Sequence, residues 1–259
     1  MRCNTTLGSR DELRLYNEPV RRQSWFGEPA LRFLRGLKRN NQREWFEARR
    51  ETYERELKEP MLALIERLTE GMGGYAPAHM RPAAKCMFRI YRDTRFSADK
   101  SPYKTHLGAW WARQGLEKTS GGGYYMHVGA AEFVIAAGVY MPEKNQLLAI
   151  RRRLLEHHAE WKKLIEDRKL LRAFAVHDPM ALARAPKGFP AEHPAIEWIK
   201  WRQWGVTAHL PAETALQPGL AEEIEKRFRL ARPLVDFLNA PLARAERPRP
   251  VWTGGRVHG

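Results

Sequence analysis

The pattern of hydrophobic positions divides the chain into an alternating middle and two helical flanks. Leu31, Leu34 and Leu37 recur at helical spacing near the beginning, and residues 219–239 repeat that spacing near the end. Between these flanks, residues 85–141 alternate apolar and polar side chains, which is typical of strands. We therefore expect an α+β fold, in which a mostly antiparallel sheet of four to six strands packs with helices from both ends of the chain.

Four segments of the middle region are predicted strands. In the first, Cys86, Phe88 and Ile90 would share one face. The third and fourth would form a hairpin across Gly129 to Ala131, because two alternating runs flank a short loop that contains glycine. The predicted strands are Lys85–Tyr91, Thr105–Ala112, Tyr124–Val128 and Glu132–Met141.

Proline positions set several predicted helix boundaries. Pro142 suits the first helical position of a helix over 143–158, because its missing N–H has no intrahelical partner there. Pro233 is expected to break or kink the helix over 219–239. Asn41, followed by Glu44 three residues later, has the spacing of a capping box.

Three tryptophans follow Pro194 at intervals of three residues, as Trp198, Trp201 and Trp204. This spacing predicts a helix that Pro194 opens. The three rings could offer stacking faces for nucleic-acid bases, but at this spacing we interpret them as a stripe that packs on the core or on a partner.

The loop between the first two predicted strands is strongly charged, and Pro102 prevents it from forming a regular helix. Either its ion pairs lock the loop, or the loop receives an anion. Arginine groups match carboxylates and phosphates in a bidentate manner. The hypothetical anion-binding residues are Arg89, Arg92, Arg95, Lys100, Lys104 and Arg151, with Asp93 and Asp99 as supporting acids.

Arg151 enters this set because it interrupts an apolar helical stripe. It follows Leu147 by four residues and precedes Leu154 by three, so it shares their face. A buried charge needs a partner. We expect Arg151 to meet either an anion at the charged loop or a carboxylate such as Asp93 or Asp99. A stem that reaches water from the edge of the stripe is the further alternative.

Composition narrows the classes of function. The net charge of +15 favours an acidic partner, either a small phosphate- or carboxylate-bearing molecule or nucleic acid. Two cysteines provide neither a disulfide framework nor zinc spacing, and no run of about 18 apolar residues indicates a membrane helix. Without a signal-peptide pattern, the expected location is the cytoplasm. We predict no membrane partner.

The histidines point to structure more than to a ligand site. His106 and His127 lie on predicted strands, where hydrogen-bonded structural histidines are common. His193 and Glu197 are four residues apart, but no second pair completes a metal site. No nucleophile motif is present. We therefore predict no metal and no cofactor, and no catalytic residue is identified.

Several motifs together resemble one bacterial family, known as domain of unknown function 2461. The resemblance spans about residues 25–240 and implies a single intracellular domain of mixed helix and sheet, with no established activity. The motifs are Asn40–Phe46, Phe88–Ser97, Asp99–Lys104, Gly138–Pro142, Pro186–Phe189 and His193–Pro194.

The domain organisation that follows has three parts. We expect residues 1–24 to form a mobile extension, residues 25–243 a single α+β domain, and residues 244–259 a disordered tail. Three classes of function remain open. In the first class, the domain binds a small anionic ligand in an Arg/Lys-lined pocket, either as a binding domain or as an enzyme. Alternatively it binds nucleic acid with low specificity, or it is a structural protein whose ion pairs only stabilise the fold.

Overall fold

The computed structural model describes residues 24–116 and 121–243. The predicted tail, and all but the last residue of the predicted N-terminal extension, lie outside the described residues.

A five-stranded antiparallel sheet forms the centre of the fold, in the order β1-β2-β3-β5-β4. This confirms the predicted α+β class and the predicted range of strand number. The hairpin predicted across Gly129 to Ala131 is also confirmed, since β2 ends at Gly129 and β3 begins at Glu132. The strands are β1 His106–Ala112, β2 Gly123–Gly129, β3 Glu132–Val139, β4 Ala175–Val176 and β5 Trp204–Pro211.

Helices from both ends of the chain accompany this sheet. The first five precede it, and the last follows it. A π-helical turn, Glu54–Lys58, joins α3 to α4, and Pro60 lies in the first turn of α4, where its missing N–H breaks no helical hydrogen bond. The helices are α1 Glu28–Arg39, α2 Arg43–Glu47, α3 Arg50–Tyr53, α4 Glu59–Met72, α5 Ala83–Cys86, α6 Lys144–Glu156, α7 His158–Ile165, α8 Arg168–Ala173, α9 Ile196–Ile199 and α10 Leu220–Ala243.

The two faces of the sheet differ because side chains alternate along each strand. On the core face, Trp111 and Tyr124 pack against Phe228 of α10, with ring centroids 5.5 and 5.0 Å apart. Trp111 also donates a hydrogen bond of 2.8 Å to Thr69 of α4. All three rings are fully buried. Each such ring stabilises the fold by roughly 1.5–3 kcal/mol, so this layer holds helices and sheet together. The opposite face carries the candidate site.

The first predicted strand, Lys85–Tyr91, is wrong as a regular strand. Its beginning belongs to the short helix α5, and the rest is an extended segment that touches β1 through the isolated bridge of Met87 with Ala109. Cys86 and Ile90 are buried, but Phe88 turns to the other face of the sheet. The reason is that Lys85 and Cys86 belong to a helical turn and only isolated bridges follow, so no continuous strand keeps the three side chains on one face.

The helix predicted from the three tryptophans is also wrong for Trp201 and Trp204, and it begins at Ile196 and not at Pro194. Helix α9 covers only four residues, and Trp204 begins strand β5. Trp204 is fully buried, while Trp198 and Trp201 pack partly buried against the core. The packing interpretation therefore agrees with the structure, although two kinds of element supply the rings. An alternation of period two after Trp204 overrides the apparent helical spacing.

The structure also differs from two predicted effects of proline and from one predicted helix cap. Pro142 lies before α6, whose N-cap is Glu143 in a reciprocal capping box with Gln146. Pro233 lies inside α10 without ending it, because buried side chains on both sides of it keep the helix packed. Asn41 does not cap a helix, because its amide group hydrogen-bonds the backbone of Tyr103 instead.

Candidate functional site

The charged loop is the end of a hairpin-like projection, residues 89–104, which we call the basic arm. Two backbone hydrogen bonds, from Arg92 to Pro102 and from Lys104 to Ile90, join its two sides. At its base, the amide group of Asn41 accepts from and donates to the backbone of Tyr103, at 3.1 and 2.9 Å. The arm is therefore an ordered extension of the sheet and not a loose loop.

Two of the predicted anion-binding arginines are paired within the arm. The guanidinium group of Arg92 bonds the carboxylate of Asp99, and that of Arg95 bonds Asp93 at 2.8 Å. The hydrogen bond from Arg95 lowers the pKa of Asp93 to about 2. The acids predicted as supporting residues thus neutralise these two arginines.

The other cations of the arm point in different directions. Lys100 donates to the carbonyl of Thr94 at 3.0 Å, and Lys104 donates to the carbonyl of Arg89 at 2.9 Å. Arg89 is exposed and forms no ion pair within the described residues. The structure therefore does not gather the five cations of the arm around one pocket.

Arg151 is buried, with 8% of its surface exposed, as its place in the apolar stripe indicates. Its guanidinium group donates to the carbonyls of Ile199 and Trp201, at 2.8 and 3.1 Å, beyond the end of α9. Among the described residues, no hydrogen bond or ion pair joins Arg151 to the arm. The expected meeting of Arg151 with the arm is therefore wrong. The two carbonyls left free by the short helix α9 satisfy the charge instead.

The described residues contain a concave cavity of about 390 Å³ on the sheet face opposite to α10. We call this surface the open face. Its aromatic walls include Phe88, Trp110, Tyr125 and Tyr140. Polar atoms come from His127, His177, Thr207 and His209.

Strand register brings these residues together. Across the sheet, Trp110 pairs with Tyr125, Tyr125 with Ala136, and Ala136 with Thr207. A second row joins Gly108, His127, Val134 and His209. Because successive side chains alternate, residues two apart on one strand share a face, and both rows face the cavity.

Two glycines let aromatic rings lie close to the sheet. A side chain at Gly123 would meet the Trp110 ring at 2.6 Å, and one at Gly108 would meet the Tyr125 hydroxyl at 3.0 Å. Their lack of a side chain gives the cavity depth that an ordinary strand surface would fill.

A cluster of polar groups lies at one end of the open face, which we call the His–Glu cluster: Tyr125, His127, Glu132, His209 and His106. The Tyr125 hydroxyl lies 3.0 Å from Nδ1 of His127, whose Nε2 lies 3.7 Å from Glu132. The other oxygen of Glu132 accepts from Nδ1 of His209 at 2.7 Å. The ring of His106 lies 4.6 Å from that of His127.

Burial disfavours the protonated forms of His106 and His127 in this cluster and of the neighbouring Lys104. Burial lowers the pKa of His127 to about 4, and the neighbouring His106 contributes to this shift. Burial and then Lys104 lower the pKa of His106. Burial and then Arg89 lower the pKa of Lys104. Near neutral pH the imidazole rings can therefore both donate and accept hydrogen bonds, so the cluster can bind a polar group or exchange a proton with it.

Glu132 is the acid of this cluster, and it is already engaged. The hydrogen bond from His209 lowers its pKa, so it stays ionised. Lys104 connects the cluster to the cavity, since its ammonium nitrogen lies 5.2 Å above the ring of Phe88. Lys104 is thus the member of the predicted anion-binding set that lies beside the cavity wall.

No group of three or more His, Cys, Asp or Glu side chains in the described residues is arranged to hold a metal ion. Likewise, none of the helices in residues 24–116 and 121–243 combines the length and apolar character that a membrane crossing requires.

The sequence carried partial signals for the residues that we now place in the site. Tyr125, His127 and Glu132 lie at alternating positions of a predicted hairpin, but a histidine on a strand points to a structural role. The sequence pattern does not single out Thr207 and His209, because their strand follows the tryptophans whose spacing predicts a helix. The alternation in Trp204–Pro211 is the signal that finds them.

Comparison with known proteins identifies a family but no activity. A family model described as "Conserved hypothetical protein (DUF2461)" matches residues 29–237. No curated protein matches the chain. The match covers most of the chain, including the sheet, the basic arm and the open face. The chain therefore belongs to the DUF2461 family.

Proposed function

We propose that the protein binds a small, flat and mainly apolar molecule that carries an acidic group, in the cavity of the open face. The observation that supports this most is the combination of aromatic walls with a set of basic groups that face a single, already bonded carboxylate. The proposal keeps the anionic ligand expected from the sequence. The proposed site, however, is the cavity on the sheet and not the paired arginines of the arm.

The size and lining of the cavity support a small-molecule ligand. Ligand sites commonly enclose about 300–1,000 Å³ and place a few polar groups in an apolar surface. The cavity of about 390 Å³ falls in this range, and Trp110, Tyr125 and Phe88 provide flat apolar walls. A planar ring system fits such walls because it removes apolar area from water on both sides.

The electrostatics of the His–Glu cluster support an acidic group on the ligand. Burial lowers the pKa values of His106 and His127, and Lys104 then adds to the shift of His106 and His106 to that of His127. A carboxylate or phosphate placed among them would reverse these shifts, because an opposite charge favours the protonated forms. Binding would then be linked to proton uptake.

The test uses 2-naphthoate as the probe and neutral 2-naphthamide as its matched comparison. Isothermal titration should show binding of 2-naphthoate, and weaker or no binding of the amide. Substituting Ala136→Leu fills the cavity floor and should abolish binding. Ala63→Leu adds the same side chain to the exposed side of α4 and should leave binding intact.

A second pair of variants separates charge from shape. Lys104→Met should weaken 2-naphthoate by about tenfold, since an ion contact of this kind is worth about 1–2 kcal/mol. Lys162→Met, on the exposed face of α7, is the control. If both probes bind equally well to every variant, the acidic group plays no part, and the proposal fails.

A further inference from the structure

Phe96 is the most exposed large hydrophobic side chain of the described residues, at 95%, and it lies at the end of the basic arm. A single exposed hydrophobic residue needs no explanation by itself. Phe96 differs because the backbone around it is fixed by local hydrogen bonds. Asp93 accepts from the N–H of Arg95, Thr94 from that of Ser97, and Asp99 from that of Ser101. These bonds present the ring to solvent in a set position.

Cations surround this ring. The arm carries five Lys or Arg residues against two Asp, for a net charge of +3. Asp93 and Asp99 neutralise Arg95 and Arg92. Arg89 and Lys100 are exposed, and neither forms an ion pair within residues 24–116 and 121–243. The guanidinium group of Arg95 lies 5.7 Å from the Phe96 ring, Lys100 is held at the same end of the arm through the carbonyl of Thr94, and Arg89 lies at the base of the arm beside Lys104.

A second ring and further cations extend this surface toward α3. Tyr91 of the arm is 43% exposed, and its hydroxyl accepts a hydrogen bond of 3.3 Å from Arg50. The guanidinium group of Arg49 lies 4.5 Å above the ring of Trp45. Aromatic rings thus adjoin guanidinium groups at three places in the arm and its neighbouring helices, namely Arg95 with Phe96, Arg50 with Tyr91 and Arg49 with Trp45.

We propose that the basic arm binds single-stranded nucleic acid, with Phe96 stacking on a base and Arg89 and Lys100 contacting phosphates. Proteins that bind single strands without sequence preference combine cations along the backbone with aromatic rings under the bases. The overall charge of +15 draws a polyanion to the protein. This binding surface is separate from the cavity of the open face, so either function can hold without the other.

A membrane surface is the competing partner for an exposed ring among cations. The carboxylates of Asp93 and Asp99 are exposed next to Phe96, and insertion would carry them into the bilayer interface. Phe96 is also the one large apolar side chain at the end of the arm within the described residues, which buries little area in lipid. Base stacking needs only one ring face, so nucleic acid fits better.

The test is fluorescence anisotropy with a labelled oligothymidylate at low salt. The protein should bind it, and affinity should fall steeply as salt rises. Phe96→Ala should weaken binding by about tenfold or more, whereas Phe96→Tyr should keep most of it, because stacking on a ring contributes about 1–3 kcal/mol per base. Leu171→Ala removes an exposed apolar side chain from α8 and serves as the matched control.

Charge and partner are tested separately. Lys100→Gln should weaken binding and reduce the slope of affinity against salt by about one contact. The proposal is overturned if oligothymidylate does not bind at low salt, or if Phe96→Ala binds it as well as the unchanged protein. It is also overturned if the arm binds phosphatidylserine vesicles through Phe96 in preference to the oligonucleotide.

Discussion

The basic arm and the open face differ in how their positive groups are balanced by acids. In the arm, Arg92 and Arg95 each have a carboxylate partner supplied by the same short segment. On the open face, burial lowers the pKa values of Lys104, His106 and His127, neighbouring basic groups lower them further, and the acid of the cluster, Glu132, is bonded to His209. The difference shows that density of charge along the sequence does not locate an anion site. Basic groups that lack enough acids within the fold are better evidence.

Arg151, like the arginines of the arm, has its charge satisfied within the fold. Replacing it has the largest expected effect on the free energy of unfolding. Arg151→Met keeps the apolar stem but removes the donors to the carbonyls of Ile199 and Trp201. Those buried acceptors would be left unsatisfied, at a cost of about 3 kcal/mol in the free energy of unfolding. Urea denaturation without any ligand measures this loss. A fully stable variant would mean that the charge is not needed there.

The pH dependence of stability tests whether the fold lowers the pKa of His127 on the open face. The pKa of His127 falls from about 6.5 in the unfolded chain to about 4 in the fold, so the unfolded state binds more protons between these values. Stability should therefore fall as pH drops from about 6.5 to 4, by up to about 3 kcal/mol from this residue.

Replacing the ring isolates this contribution. His127→Gln should show a flatter fall of unfolding free energy between pH 6.5 and 4, measured by urea denaturation across pH. His157→Gln changes an exposed histidine on the end of α6 and is the control. Identical slopes for both variants would show that His127 is not held neutral by the fold.

The anchoring of the arm gives a smaller effect. Asn41→Ala removes two hydrogen bonds to the backbone of Tyr103 and should destabilise the protein by about 1–2 kcal/mol. The change should also speed amide hydrogen exchange in the arm more than in β2 or β3. Uniform exchange rates across the molecule would argue that the arm is not held by this contact.

The sequence indicates most of the fold where the patterns are local. The hairpin of β2 and β3 follows from alternation on both sides of a turn, and the burial of Arg151 follows from its place in a helical stripe. Strand β5 was missed because Trp198, Trp201 and Trp204 imitate helical spacing. That spacing is compatible with two elements, and only tertiary pairing with β3 decides between them.

The candidate site is harder to predict because its residues come together through strand register and not through a motif. Phe88, Trp110 and His209 lie on three separate segments and meet only in the folded sheet. The charged residues of the arm, by contrast, are close together in the sequence. Because Asp93 and Asp99 belong to the same short segment as the arginines, they can neutralise them locally.

The pKa of His127 with and without bound 2-naphthoate tests the central claim most directly. It is measured by following the imidazole resonances through a pH titration, with 2-naphthamide as the neutral control. If an acidic group binds among Lys104, His106 and His127, the pKa of His127 should rise from about 4 when 2-naphthoate is bound and stay unchanged with the amide. An unchanged pKa in the presence of bound 2-naphthoate would contradict the account.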